Sequence, residues 1–510
     1  YVDCFNNYLY ISLFSAMGKS NRQMSHKKKL KKNDTGQNNE DRLSSLPDNI
    51  LHKILDLLDT LYAVRSSILS KRWRDLWTCL SNLNFNSTID YEATNKHLNN
   101  KDEIFTKFVD QVFIHRDRSC NIRTFHLFYN EEHFRVPHRF CSWILGSIQC
   151  NVQELNINIS TFYSLHLPSC LFECKPLKVL KLKFGSIQVP LKLRPWFFYP
   201  GDIALPNLKT LHLESVCFVG EELANKLFSN CPVLESLVII NSQFVKLKSF
   251  LIIGPNLKHI VIENCSDELD VDSSYCEIII HASKLVALRC KDHMDRHYTL
   301  EMPCSLVDVS MDMGIEDLRG WLRGGRLQTE RKKQYALNML TYLKSVCSVR
   351  SLTLSPWLIE VFSNNPGIEK SLSVSVQFQN LRYMKLKTWL SRDHIPAILC
   401  LLHISPNVET LILEVTKKMV NSTYRRENQD TEFPLQCMDH LKFVEIQGSQ
   451  GRKNELKILE ILLKNAEILE KVVVFTSMEQ LPDREQRLMD FSEKLRQYPR
   501  ASSNTVITFI

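Results

Sequence analysis

Residues 206–213 read PNLKTLHL. Apolar side chains stand at Leu208, Leu211 and Leu213, with a proline two places ahead of the first. Successive side chains of an extended strand alternate between faces, so Leu211 and Leu213 point one way and His212 the other. A single copy would be a short strand and nothing more, but the pattern returns. It stands as LKVLKL from Leu177, LESLVI from Leu234, LKHIVI from Leu257, LVALRC from Leu285, VRSLTL from Val349, LRYMKL from Leu381, VETLIL from Val408 and LKFVEI from Leu441. Weaker copies start at Ile122, Val152, Leu306 and Leu469. Copies between Leu177 and Leu285 follow one another at 23 to 31 residues, which brackets the period of a leucine-rich repeat. Pro176, Pro206, Pro232, Pro255 and Pro406 precede the unit, and a proline there marks where a connecting segment stops.

One such repeat cannot bury its own apolar face, whereas a stack of them makes a continuous core and a long parallel sheet. Strands are predicted to begin near Val179, Thr210, Ser236, His259, Tyr383 and Thr410. Leu180, Leu211, Leu237, Ile260, Met384 and Leu411 should then form one buried row. Segments 222–232 and 395–406 have helical periodicity and suit the outer layer. The residues between the buried pairs would face a groove, with Lys181, His212, Val238, Val261, Arg289 and Lys385 as candidate substrate-binding positions. Thr353, Ile412 and Glu445 occupy equivalent places. The set is basic and aliphatic, which suits a protein ligand with some acidic character, and its local charge should exceed the chain's average. Two insertions interrupt the array. One is the aromatic stretch 191–202, with Trp196, Phe197, Phe198 and Tyr199 between two prolines; the other spans 314–344.

Ahead of the repeats lies DRLSSLPDNILHKILDLLDTLYAVRSSILSKRWRDLW, residues 41–77. It reads as three short helices. Pro47 suits the first helical position, and Asp48 meets the helix dipole. Thr60 can cap a second helix and Ser70 a third. Leu46, Pro47, Ile50, Leu51, Ile54, Leu55, Leu58, Val64, Leu69, Trp73, Leu76 and Trp77 are more apolar surface than so short a segment can bury by itself. The surplus calls for a partner. These residues resemble an F-box, and the ending LSKRWRDLW is similar to that of the large plant F-box set. The resemblance implies docking on a Skp-type adaptor of a cullin-RING ubiquitin ligase, with the twelve residues above as the adaptor surface and Trp73 as an anchor. It also implies that removing residues 41–77 leaves the remainder folded. Asp59, Leu61 and Tyr62 depart from the usual Pro and Lys-Asp. A three-helix cap for the following domain is the alternative reading of the same segment.

At the other end, HLKFVEIQGSQGRKNELKILEILLKNAEILEKVVVF with KLRQYPRASSN after it resembles the FBD module of plant F-box proteins. It reads as a strand, a turn at Gly448 and Gly451, a helix from about residue 454, and a second strand. The organisation expected is α/β: a disordered basic leader, 1–40, containing HKKKLKK; a three-helix F-box, 41–80; an irregular leucine-rich-repeat solenoid, 115–430; and an FBD strand–helix–strand cap, 435–510.

The 510 residues carry 64 Lys+Arg against 56 Asp+Glu, a formal +8 that is mild for this length. No nucleic-acid partner follows from it. No stretch is long and apolar enough for a membrane helix. The 16 cysteines are scattered without a Cys-x-x-Cys pair and are expected as free, mostly buried thiols. There is no phosphate loop, since Gly448 to Gly451 lacks the following Lys-Ser/Thr, and no zinc or nucleophile-elbow pattern. No catalytic residue, metal or cofactor is expected. The expected function is that of a non-catalytic substrate receptor of an SCF-type ligase, cytoplasmic or nuclear, with an unidentified protein substrate. A stand-alone interaction scaffold and a small-molecule sensor are the two alternatives.

Overall fold

The computed structural model describes residues 45–89, 101–130, 139–160, 167–185, 196–197, 203–220, 226–264, 266–267, 276–301, 305–315, 326–363, 376–417, 438–477 and 484–510. The leader and the aromatic stretch 191–202, apart from a two-residue strand at Trp196–Phe197, lie outside them. The chain forms two compact units. The first runs to Leu234 and includes Ser242–Val245; the second comprises Glu235–Asn241 and Lys246–Ile510.

The first unit opens with helices α1 (Asp48–Leu55) and α2 (Thr60–Arg65) and a single-turn 3-10 helix at Leu76–Cys79. A parallel sheet comes next: β1 (Asn82–Asn86), β2 (Thr124–Asn130), β3 (Glu154–Ser160), β4 (Val179–Phe184) and β5 (Thr210–Glu214), side by side in chain order. Two rows of inward side chains run across it. Leu83, Phe125, Leu155, Leu180 and Leu211 are in register, as are Phe85, Leu127, Ile157, Leu182 and Leu213, and all are buried. Helices α3 (Lys101–His115) and α4 (Phe140–Gln149) belong to the same unit. Phe85 packs against Phe108, Phe113 and Phe125.

The second unit repeats the arrangement at twice the length. Its strands are β6 (Ser236–Ile240), β7 (His259–Glu263), β8 (Ala287–His293), β9 (Asp308–Gly314), β10 (Ser351–Leu354), β11 (Tyr383–Thr388), β12 (Thr410–Val415), β13 (Phe443–Ser449), β14 (Lys471–Thr476) and β15 (Val506–Phe509). They too pair in parallel in chain order. Leu237, Ile260, Leu288, Val309, Leu352, Met384, Leu411, Val444 and Val472 form one buried row. Cys290 lies in the companion row as a buried apolar residue among Ile262 and Met311. Strands begin at the six positions that the sequence predicted.

The turn before the strand explains four of the five prolines, Pro176 standing instead at the third position of its turn. The N–H of Leu208, Leu234, Leu257 and Val408 each reaches the carbonyl three residues earlier, with Pro206, Pro232, Pro255 and Pro406 at the second turn position. Proline presets φ there, so its role is to start the strand and not merely to end the connecting segment. Asparagines stitch successive turns: Asn407 Nδ2 donates to the carbonyl of Gln379 at 2.8 Å.

After helices α5 (Arg326–Ser345), α6 (Pro356–Ser363) and α7 (His394–His403), helix α8 (Lys453–Asn465) connects β13 to β14, and α9 (Arg484–Gln497) connects β14 to β15. Gly448 and Gly451 have φ of +74° and +69°. A Cβ on Gly448 would come within 2.8 Å of the Val415 carbonyl oxygen, so only glycine fits. The Glu455 carboxylate, fully buried, accepts from Ser449 Oγ at 2.7 Å and from the N–H groups of Gln450, Gly451 and Arg452. This is the capping box of α8. The turn's N–H groups are engaged by a carboxylate of the same chain, which is the physical reason that it is not a phosphate loop.

Four expectations need correction. The third F-box helix does not form: residues 71–75 are turn, followed by the 3-10 helix, and Ser70 caps nothing. Asp59, not Thr60, is the N-cap of α2, and Thr60 Oγ1 instead accepts from the Asn84 N–H at 2.8 Å. The parallel sheet starts at Asn82, well before residue 115. Cys79 and Cys120 are joined by a disulfide with their Cα atoms 5.3 Å apart, where free thiols were expected.

The F-box is also hydrogen-bonded directly to the first strand of the sheet. Asp56 at the end of α1 accepts from Ser81 N–H at 3.0 Å, Ser81 Oγ at 2.6 Å and Asn82 N–H at 3.1 Å. With Thr60 it takes up the donors on the open edge of β1. Asp56→Ala should therefore raise hydrogen exchange at the Asn82 amide and cost about 2 kcal/mol, because those donors are left stranded. Leu352→Ala should cost about 3 kcal/mol in a denaturant titration. Its outward neighbour, Thr353→Ala, should stay within about 0.5 kcal/mol.

Candidate functional site

The twelve F-box residues divide by burial. Leu51, Leu55, Val64, Trp73, Leu76 and Trp77 are buried within the chain, Trp73 to 5% exposure. They form the core of the F-box with Leu61, Ala63 and Leu80. Burial removes them from the free surface, and truncating Trp73, expected as an anchor for a partner, would act first on folding. Leu46 and Ile54 are half-buried, and Pro47, Ile50, Leu58 and Leu69 are exposed. Sequence reasoning missed Leu57 and Tyr62, at 87% and 48% exposure. On α1 the division is geometric. Leu51 and Leu55 are one turn apart on the inner face, while Ile50 and Ile54, with Leu57 and Leu58 just beyond, continue a second stripe outside. The helix is fixed at its start by Arg72, whose Nε donates to Asp48 at 2.9 Å. Arg65 lies over the Tyr62 ring, 5.7 Å from its centroid.

On the sheet faces, the structure places the expected groove residues in register within each unit. Lys181 and His212 are neighbours on β4 and β5, in a row with Asn84, His126 and Asn156. Val238, Val261 and Arg289 are consecutive neighbours on β6, β7 and β8. Lys385 lies in the same row, beyond Ser310 and Thr353, followed by Ile412 and Glu445.

A basic stripe is not what they make. Arg289 Nε sits 2.7 Å from Glu263, and Lys385 Nζ 2.8 Å from Glu414. Lys387 Nζ lies 3.0 Å from Asp312. In the first unit Lys183 pairs with Glu214 at 2.8 Å, and His212 Nε2 is 3.6 Å from the same carboxylate. The His212 imidazole and then the Lys183 ammonium beside it draw the Glu214 carboxyl down to about 2 against the opposing effect of burial. Burial lowers the imidazole pKa of His126, with Lys181 adding to it. Among the described residues, Lys181 has no carboxylate paired with it. The predicted excess of positive charge is thus mostly cancelled between adjacent strands. Apolar Val238, Val261 and Ile412 are interleaved with these pairs.

Two clusters escaped sequence inspection. Thr388 Oγ1 and Glu360 lie on either side of His394, at 2.8 Å from Nδ1 and 2.8 Å from Nε2. The set resembles an acid–base triad on paper. All three side chains are buried, however, and Thr388 Oγ1 also accepts from the Leu390 N–H at 2.9 Å. Every polar atom is satisfied, so the network clasps β11 to the helices Pro356–Ser363 and His394–His403. The residues are too far apart in sequence to suggest it. The second cluster is Cys79, Asp117 and Cys120, whose ligand atoms lie within 4.8 Å of one another. Among the described residues no helix is long and apolar enough to cross a membrane.

Comparison with known proteins matches three segments. An F-box domain family covers residues 43–85, the leucine-rich repeats of FBD-associated F-box protein At5g56370 cover 140–298, and an FBD family covers 429–474. The F-box/FBD/LRR-repeat protein At2g26030 of Arabidopsis thaliana is 26% identical, over 86% of this chain and 92% of the relative. The F-box/FBD/LRR-repeat protein At1g51370 of the same plant is 26% identical, over 94% of this chain and 98% of the relative. F-box protein At4g09920, also from Arabidopsis thaliana, is 33% identical over 43% of this chain and 65% of its own length. With the three domains in one order along the chain, and relatives that share it almost end to end, the chain is similar in domain content and order to the plant F-box/leucine-rich-repeat/FBD proteins.

Proposed function

We infer that the chain is a non-catalytic substrate receptor of an SCF-type ubiquitin ligase. F-box proteins generally act as substrate adaptors in such ligases, and the F-box domain generally binds Skp1-type adaptors. The observation that carries the reading is the outer stripe of α1. Ile50, Leu57 and Leu58 present aliphatic side chains to solvent, with half-buried Ile54 between them, while the inner stripe already fills the F-box core. An apolar line beside a completed core is surface kept for a partner. The adaptor surface proposed is therefore Leu46, Pro47, Ile50, Ile54, Leu57, Leu58, Tyr62 and Leu69.

The repeats then act as a leucine-rich-repeat solenoid, with the FBD strand–helix–strand as the module at its far end. The outward rows would take a protein substrate through Val238, Val261 and Ile412, with the ion-pair ladder setting selectivity. The mechanism is proximity: a bound protein has its lysines held at high effective concentration near the conjugating enzyme. A cytoplasmic or nuclear setting goes with this role.

Two outcomes check the reading. Ile50→Asp with Leu57→Asp should weaken capture of a Skp-type adaptor by about 30-fold, roughly 2 kcal/mol, without moving the thermal midpoint. Trp73→Ala should do the opposite and lower the midpoint. Unchanged adaptor capture by the double variant would defeat the receptor reading. Lys181→Glu with Arg289→Glu should deplete proteins that co-purify with the receptor while leaving adaptor capture intact, read by quantitative mass spectrometry. If the same proteins are retained, the outward rows are not the substrate surface.

A further inference from the structure

The Cys79–Cys120 pair closes a 41-residue span from the last turn of the F-box to the turn ahead of β2. The backbone brings the two cysteines together. Asp117 N–H donates to the Thr78 carbonyl at 3.0 Å, and Cys120 N–H to the Asp117 carbonyl at 3.2 Å. Arg116 holds the Cys120 carbonyl at 2.7 Å. Both cysteines are half-exposed, so small thiols can reach the bond. Cys141, Cys170 and Cys347 are also half-exposed but lie outside any disulfide, while Cys150, Cys174, Cys217, Cys231, Cys276, Cys290 and Cys400 are buried thiols. Burial pushes Cys174 up to about 11 and Cys231 up to about 12, which keeps such thiols protonated and inert.

We propose that Cys79 and Cys120 are a redox-exchangeable pair whose oxidation locks the end of the F-box onto the start of the sheet. The Cα separation of 5.3 Å falls within the range a disulfide spans without backbone movement, so the same fold holds both states. The oxidant is a low-molecular-weight disulfide such as oxidised glutathione. One cysteine thiolate attacks it, forming a mixed disulfide and releasing one glutathione. The second thiolate then attacks the protein sulfur of the mixed disulfide and releases the other. Two electrons and two protons leave the cysteine pair and end on two glutathione thiols. Asp117 sits beside the bond, its carboxylate 3.9 Å from Cys79 Sγ and anchored by Ser119 Oγ and N–H at 2.7 and 2.8 Å. Those Ser119 bonds draw its pKa down, so it remains anionic. The inference is independent of the receptor reading, because it depends on thiol chemistry alone.

The full chain is equilibrated in glutathione buffers from reducing to oxidising, quenched in acid and alkylated, and its peptides are mapped. A single two-electron transition confined to the Cys79 and Cys120 peptides is expected. Cys79→Ser or Cys120→Ser should abolish it, and Cys141→Ser should leave it in place. Amide exchange at residues 78–80 and 117 should quicken on reduction of the wild type but not differ with poise in Cys79→Ser. Full alkylation of both cysteines at the oxidising end would overturn the proposal, as would a transition that survives Cys79→Ser. Stoichiometric zinc uptake by the reduced chain that blocks reoxidation would also overturn it, and would make Cys79, Asp117 and Cys120 a metal site instead.

Discussion

Lateral register between parallel strands is the constraint on which the rest depends. Each strand contributes two inward apolar residues, and neither is buried until the strand beside it supplies the equivalent two. A shift of one residue would turn Leu352 outward and Thr353 inward, exchanging an apolar contact for an unsatisfied hydroxyl. The proline turns and the asparagine stitches act on this same variable. They fix where a strand begins relative to the one before it, and the rows of leucine, isoleucine and methionine fall into line. The outward rows inherit the register too, because they are aligned by the inward ones. Glu263 can meet Arg289, and Glu414 can meet Lys385, only because β7 and β8, and β11 and β12, start level.

A parallel array ends in an exposed edge of unpaired N–H and C=O groups, which invites pairing with another chain. Among the described residues, the first edge is handled by side chains and not by a further strand. Asp56 and Thr60 accept the outward N–H groups of Asn82 and Asn84, so a carboxylate and a hydroxyl stand in for a missing strand. Within the FBD the handling is different. Glu455 gathers the N–H groups of the glycine turn and caps α8 with one carboxylate. In both places an acidic side chain converts backbone donors that would otherwise attract a partner into internal contacts.

What could be read from the sequence divides along the range of the interaction. The strand starts at Val179, Thr210, Ser236, His259, Tyr383 and Thr410 were legible because a six-residue apolar code repeats them. Strand β1, NLNFN, was not, since two apolar residues among three asparagines make no repeat on their own. It is a strand because the F-box covers its edge and β2 its other side. The Cys79–Cys120 bond and the His394 clasp were hidden for a similar reason: each unites residues that no local spacing relates. The charge of the outward rows was misjudged because the sequence shows Arg289 and Lys385 in the repeat unit, while Glu263 and Glu414 lie on neighbouring strands. On the F-box the amphipathic stripe was visible, but its width was not. Which half faces in depends on where the 3-10 helix Leu76–Cys79 arrives.

The division of α1 into two apolar stripes has a mechanical consequence. Leu51 and Leu55 anchor the helix to the F-box core, and Asp56, the next residue, is both its C-cap and the acceptor for the edge of β1. A partner seated on Ile50, Ile54 and Leu57 would therefore rest on a helix whose end is hydrogen-bonded directly to the sheet. A flexible tether between the partner-binding helix and the sheet would dilute a bound lysine over the volume the tether sweeps, and effective concentration falls as that volume grows. A helix that ends on a strand sweeps almost none. The same residues that protect an edge from unwanted pairing thus also tie the F-box to the first strand of the sheet.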